Sequence, residues 1–137
     1  MKIAIRYFSR GGNTKKLAQA IGEELGVEVL TIDSPLTEDV EILFLGSSVY
    51  AYGVDDNIKD FINGINVNVG TIYNFSTAAL IKSTHAQISK LTKAKGLNLA
   101  SEEYSCKGAF GPLHKGMPGE KELRDVKEFA RRVAQKS

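Results

Sequence analysis

Ile42-Leu43-Phe44-Leu45 places large apolar side chains at every position of a short run between Glu41 and Gly46. A strand through these residues has no polar face, so both of its faces need cover. A sheet wetted on one side would show alternation instead. The run therefore predicts a strand buried in a parallel sheet with helices above and below.

The flanking segments fit that frame. Residues 2–8 read as an apolar-rich strand and residues 27–32 as a β-branched one. Between them, residues 14–25 carry Leu17, Ala18, Ile21 and Leu25 at helical spacing, with Gly26 as a stop signal. Residues 33–40 hold Pro35 and are too short for a helical crossover, which takes about a dozen residues or more. An irregular stub or a single turn is expected there. Residues 55–64 predict a short helix with Asp55 or Asp56 as N-cap and Ile58, Phe61 and Ile62 inward. A fourth strand is expected over 69–75, and a helix over 84–95 with Ile88, Leu91 and Ala94 inward, ended by Gly96. Residues 97–105 read as a polar edge strand. A last helix over 120–134 turns Leu123, Val126, Phe129, Ala130 and Val133 to one side behind Pro118 and Gly119. Alternating strands and helices imply right-handed βαβ units. The expected architecture is α/β: a three-layer sandwich around a five-stranded parallel sheet, one domain over residues 1–137; in a 2-1-3-4-5 order the strand sequence reverses between strands 1 and 3.

Composition narrows the function. A net charge of +2 with scattered basic residues gives no nucleic-acid footprint. No stretch approaches the ~18 apolar residues of a membrane span. The strand begins at once after Met1, so no secretory leader is visible. Cys106 is the single cysteine, which rules out an internal disulfide and predicts a reducing, cytoplasmic setting. Its neighbour Lys107 would favour a thiolate, yet no second cysteine stands nearby, and a structural role is expected. His85 and His114 have no ligand-like cluster around them, so neither a metal site nor a catalytic group is assigned.

Ligands of such sheets sit beyond the carboxyl ends of the strands, where the strand order reverses. Here that point lies between the loops leaving strands 1 and 3. The first, Ser9-Arg10-Gly11-Gly12-Asn13-Thr14, suits a phosphate. Its glycines let backbone amides approach, and a helix starting near Asn13 or Thr14 leaves amides and a positive dipole end exposed. Ser9, Asn13 and Thr14 add donors and Arg10 a charge, although a plain glycine-rich turn would look similar. The second loop, Ser47-Ser48-Val49-Tyr50-Ala51-Tyr52-Gly53, offers hydroxyls and two tyrosines suited to stacking on a flat heteroaromatic ring, or to covering the sheet end.

The first loop resembles the flavodoxin phosphate loop, with Gly11 in place of the usual Thr. Gly46 to Gly53 is similar to the second flavin loop of that family, with Ser48 where Pro is common, and Phe75-Ser76-Thr77-Ala78 stands in the place of the third. The stretch from Cys106 to Phe110, followed by the helix behind Pro118, resembles the tail of short flavodoxins. The resemblance implies a flavodoxin-like fold that binds flavin mononucleotide (FMN), with cofactor contacts from Ser9–Thr14, Ser47–Gly53, Ser76, Thr77 and Ala78. It implies an electron carrier with a redox partner protein. Two other functions fit the sequence: an FMN-dependent NAD(P)H oxidoreductase acting on a quinone-like acceptor, and a non-redox module that binds another phosphorylated ligand or a protein.

Overall fold

The computed structural model describes residues 1–49, 53–79, 82–109 and 114–136. Strands β1 (Ile3–Tyr7), β2 (Val29–Thr31), β3 (Val40–Val49), β4 (Val69–Ala78) and β5 (Tyr104–Lys107) form one sheet in the order β2-β1-β3-β4-β5. Every pairing in it is parallel. Helices α1 (Asn13–Leu25), α2 (Asp56–Asn63), α3 (His85–Lys95) and α4 (Glu120–Lys136) cover it. This is the three-layer α/β fold that the alternation of segments predicts, in the expected 2-1-3-4-5 order.

The period of two along β3 explains its unbroken apolar run. Ile42 and Phe44 join Ile5 and Phe75 against Leu17 and Ile21 of α1 and Val126 and Phe129 of α4. Leu43 and Leu45 join Ile72 on the opposite face, against Ile58 and Ile62 of α2 and Ile88 of α3. Phe44 meets Phe129 edge-on at a centroid distance of 6.0 Å. Each such fully buried side chain stabilises the fold by about 1.5–3 kcal/mol. The helices stop where glycine allows it: Gly26 and Gly96 follow α1 and α3 in the left-handed region.

Two details differ from expectation. Thr92, not Ala94, is the inward residue of the last turn of α3; Ala94 is exposed. The Thr92 hydroxyl donates to Ile88 O at 3.0 Å, which makes a buried threonine acceptable there. The edge strand over 97–105 shrinks to a single bridge, Ile72 with Leu99, followed by β5. The carboxylates between them are drawn elsewhere: Glu102 to Arg132 and Lys136, Glu103 to Asn74 and Ser83. The chain therefore leaves the ladder and rejoins it at Tyr104.

The β2–β3 connection has no helix. Leu36 is buried as its plug, and Arg6 of β1 holds its backbone. Arg6 Nε donates to Ser34 O at 2.7 Å, Nη2 to Pro35 O at 3.4 Å and Nη1 to Ile5 O at 3.0 Å. Burial pushes the guanidinium pKa down and nearby Glu28 opposes the shift. A lysine has no planar fork and cannot reproduce this set. Arg6→Lys should cost about 1–3 kcal/mol, the range for stranding buried acceptors. Urea unfolding should show a lower midpoint, and an unchanged midpoint would mean that the connection holds without the guanidinium.

Candidate functional site

The site is built at the carboxyl ends of β1, β3 and β4. Phe8 extends β1 by one bond, its amide donating to Gly46 O at 3.0 Å. The chain then turns tightly, with the Gly12 amide donating to Ser9 Oγ at 3.0 Å. Gly12 adopts φ 88°, a conformation costly to any residue with a Cβ, and open space lies where that Cβ would stand. α1 starts at Asn13 with no side-chain cap. The amides of Asn13, Thr14 and Lys15 precede the first helical bond, from the Lys16 amide to Gly12 O at 3.2 Å. The result is a helix N-terminus opening outward from a glycine turn.

Beneath it the sheet changes character. β3 and β4 do not end where their apolar residues end: Ser47, Ser48 and Val49 continue β3, in register with Ser76, Thr77 and Ala78 of β4. The expected second loop therefore begins in a strand, and the expected third loop is strand up to Ala78. The parallel ladder runs on because the hydroxyls are satisfied inside. On one face Thr14 Oγ1 donates to Ser47 O at 3.1 Å and lies 2.9 Å from Thr77 Oγ1. On the other, Ser47 Oγ lies 2.8 Å from Thr84 Oγ1, which also receives Asn74 Nδ2 at 3.1 Å. Asn74 Nδ2 and Ser83 Oγ both reach Glu103.

These bonds define how the expected site residues are held. Thr14, Ser47, Val49, Ser76, Thr77 and Ala78 are buried, and the hydroxyls of Thr14, Ser47 and Thr77 are bonded inward. They form the floor beneath the loop. Ser48 is half-buried within β3. Asn13 is also buried, and its Nδ2 donates to Ala109 O at 2.9 Å, tying the start of α1 to the chain after β5. Ser9, Arg10, Gly11 and Gly12 remain at the surface of the loop, and Gly53 is exposed. Tyr50, Ala51 and Tyr52 lie outside the described residues, so the stacking expected of the tyrosines does too.

Arg10 reaches across to the next loop. Its guanidinium pairs with Asp55 and stands 5.9 Å from the centre of the Phe8 ring. Asp55 is the N-cap of α2, accepting from the Asn57 amide at 2.9 Å. The pair thus bridges the loops that leave β1 and β3. The Arg10 guanidinium, followed by the Asn57 amide, holds the Asp55 carboxyl below the ordinary carboxylate range. From the third side, His114 Nε2 lies 3.2 Å from Ala79 O, where its N–H donates.

Thr84, Asn74, Glu103 and Asp55 were absent from the expected site. For Asp55 the signal was present, since a helix cap after strand 3 faces the first loop. For Asn74, a polar residue in an apolar strand was the only cue. A Cβ on Gly46 would run into the Phe75 ring and come within 2.9 Å of Thr14 Cγ2, so glycine lets α1 sit directly on β3. Cys106 is half-buried and its thiol is pushed up to about 11, chiefly by burial and then by Glu122, so it stays protonated, as a structural residue should. Among the described residues no His/Cys/Asp/Glu group could hold a metal, and no helix is long and apolar enough to cross a membrane.

Comparison with known proteins gives a consistent result. Residues 4–109 match the family described as "Flavodoxin domain". An uncharacterized protein of Methanocaldococcus jannaschii is 32% identical over 97% of this chain and 98% of its own. A flavodoxin from the domain Archaea superposes with a TM-score of 0.77 at 20% identity, covering 99% of this chain and 98% of that one. Flavodoxin 1 of Bacillus cereus gives 0.72 at 16% identity, covering 98% of each chain. At these identities the two structures speak to the fold.

Two measurements test this geometry. Thr84→Val keeps the shape but removes the hydroxyl shared by Ser47 and Asn74, and should cost about 2–3 kcal/mol in urea unfolding. Ser47→Ala, which breaks one of those bonds, should cost about 1 kcal/mol. Equal effects would show that Thr84 does not hold the network together. For Asp55 the sign follows from its lowered pKa. Its contribution to stability is present above the ordinary carboxylate range of about 4 and is lost as pH falls through the lowered value. Arg10→Gln should move the Asp55 titration upward toward the ordinary range, as read by carboxyl-carbon NMR. An unmoved titration would mean that the Asn57 amide alone sets it.

Proposed function

The chain belongs to the flavodoxin family, and from that premise we propose that it binds FMN and works as an electron carrier between protein partners. The observation that carries this proposal is the turn from Ser9 to Asn13: a left-handed Gly12 opening the N-terminus of α1, with amides ahead of the first helical bond. That donor set fits a dianionic phosphate. The backbone amides of residues 11 and 13–15 and the Ser9 hydroxyl are its holders, since the Gly12 amide is bonded to Ser9 Oγ and the side chains of Asn13 and Thr14 are already engaged. Gly11 in place of a hydroxyl residue is consistent with a cradle made of amides. Its positive end needs no help from Arg10, whose charge is met by Asp55.

The flavin ring belongs above the carboxyl ends of β3 and β4, with Ser48, Gly53 and the chain after Ala78 around it. Tyr50 or Tyr52 is the proposed stacking residue and Ala51 their neighbour. When bound, the flavin supplies the electron-transfer chemistry, and the protein supplies position and charge. The part left to this chain is therefore to fix the phosphate, exclude water from one ring face and present the other. The charged side chains brought to the loop, Arg10 and Asp55, compensate each other, which suits a carrier better than an acid–base enzyme. A reducing cytoplasmic setting accompanies this proposal, in keeping with the single cysteine.

Flavin fluorescence titration tests it. FMN should bind about a hundredfold tighter than riboflavin, because the difference is the phosphate and two charge-assisted hydrogen bonds are worth ~3 kcal/mol. Gly12→Ala should weaken FMN and leave riboflavin almost unchanged. Equal affinities for the two flavins would remove the phosphate from this loop. Stopped-flow mixing with NADH or NADPH then separates carrier from enzyme: slow reduction is expected, and rapid turnover would favour the oxidoreductase.

A further inference from the structure

The basic residues of this chain are matched unevenly. On α4, Lys121 pairs with Asp125, Lys127 with Glu23, Arg131 with Glu24 and Arg132 with Glu102. α3 carries Lys90, Lys93 and Lys95 and no carboxylate. Lys82 precedes α3 and Lys59 stands on the neighbouring α2. Lys59, Lys82, Lys90 and Lys93 are exposed, and none makes an ion pair among the described residues. Against Asp56 and Asp60 of α2, these four lysines leave the α2–α3 face net positive.

That face has a groove. About 230 Å³ in volume, it runs between the two helices, with Val54 and Leu91 among its apolar walls, Lys59 and Lys90 at its rim, and Asp56 at the start of α2. Gln87 also lines it, and Gln87 Oε1 is shut away from solvent with no hydrogen-bond partner among the described residues. A buried acceptor left unpaired is uncommon in a native fold. Gly53, at the groove's end, belongs to the loop above β3, so the groove begins beside the proposed flavin site.

We propose that the α2–α3 groove is the docking surface for an acidic segment of a partner protein. Carboxylates of the segment meet Lys59 and Lys90, an apolar side chain enters between Val54 and Leu91, and an amide N–H donates to Gln87 Oε1 once that side chain turns outward. The apolar walls between the two lysines, with the Asp56 carboxylate at the start of α2, suit a peptide that combines carboxylates with an apolar side chain better than a uniformly anionic lipid surface or nucleic-acid backbone. The inference rests on the carrier proposal, which requires protein partners, and it gives the partner a chemistry.

The probe is a short synthetic peptide rich in glutamate with a central leucine, titrated into the 15N-labelled full chain with and without FMN. Amide shifts should cluster at Val54, Lys59, Gln87, Lys90 and Leu91, and affinity should fall as salt rises. Lys59→Glu/Lys90→Glu should lower peptide affinity by about tenfold or more, and Lys59→Gln/Lys90→Gln by a smaller factor. FMN affinity should be unchanged in both variants, because neither lysine lies in the phosphate loop. Shifts confined to α1 or α4, no binding, or undiminished binding by the charge-reversed variant would each overturn the proposal. So would tighter binding to phosphatidylserine vesicles than to the peptide. Because the peptide titration is also run without flavin, a chain that takes up no FMN defeats the carrier proposal without deciding the docking surface.

Discussion

Ser47 joins the two halves of this molecule. Its carbonyl receives the Thr14 hydroxyl from the α1 face and its own hydroxyl meets Thr84 at the start of α3. Two helix N-termini on opposite faces of the sheet are thereby set relative to one strand position. The apolar layers below provide most of the stability, but they are nondirectional and tolerate small slides. Hydrogen bonds in a buried network are directional and costly to leave unmade. The height of the 9–13 loop above the sheet is accordingly fixed by polar contacts, with Gly46 removing an obstacle to close approach.

The same contacts explain what the sequence showed and what it hid. The run from Ile42 to Leu45 needs cover on both faces whatever its neighbours are, so the central strand and the fold class were legible. Glycines 26 and 96 marked helix ends because the left-handed conformation they adopt is chemically distinctive. Ser47, Ser48, Ser76 and Thr77 misled because serine and threonine suit a turn and a buried hydroxyl network equally well. Only the cross-strand register, with partners far away in the chain, distinguishes the two. Arg10 was legible as a charge near the loop but not in its direction, since Asp55 lies 45 residues on.

The site also shows how a short chain economises on side chains. A helix N-terminus opened by a glycine turn presents its amides without side-chain help, which frees Asn13 and Thr14 to tie the helix down. The chain after β5 is drawn in by Asn13 and by the contact between His114 and Ala79. Three separate loops therefore converge on one helix end without a metal or a disulfide among the described residues.

The register of β3 bears on how the molecule comes to be folded. Ile3 pairs with Ile42, and Val40 with Val69. No strand of the sheet meets its partner through a hairpin, so each pairing waits for an intervening segment to close a long loop. Topologies of this kind reach the native state slowly. During that wait the most apolar strand of the chain has both edges open, which is the exposure that leads to aggregation. Glu41, exposed at the start of the run, and the polar Ser47 and Ser48 after it flank it as charged and hydrophilic brakes. The serines that organise the finished site thus also moderate the hazard of the strand that carries them.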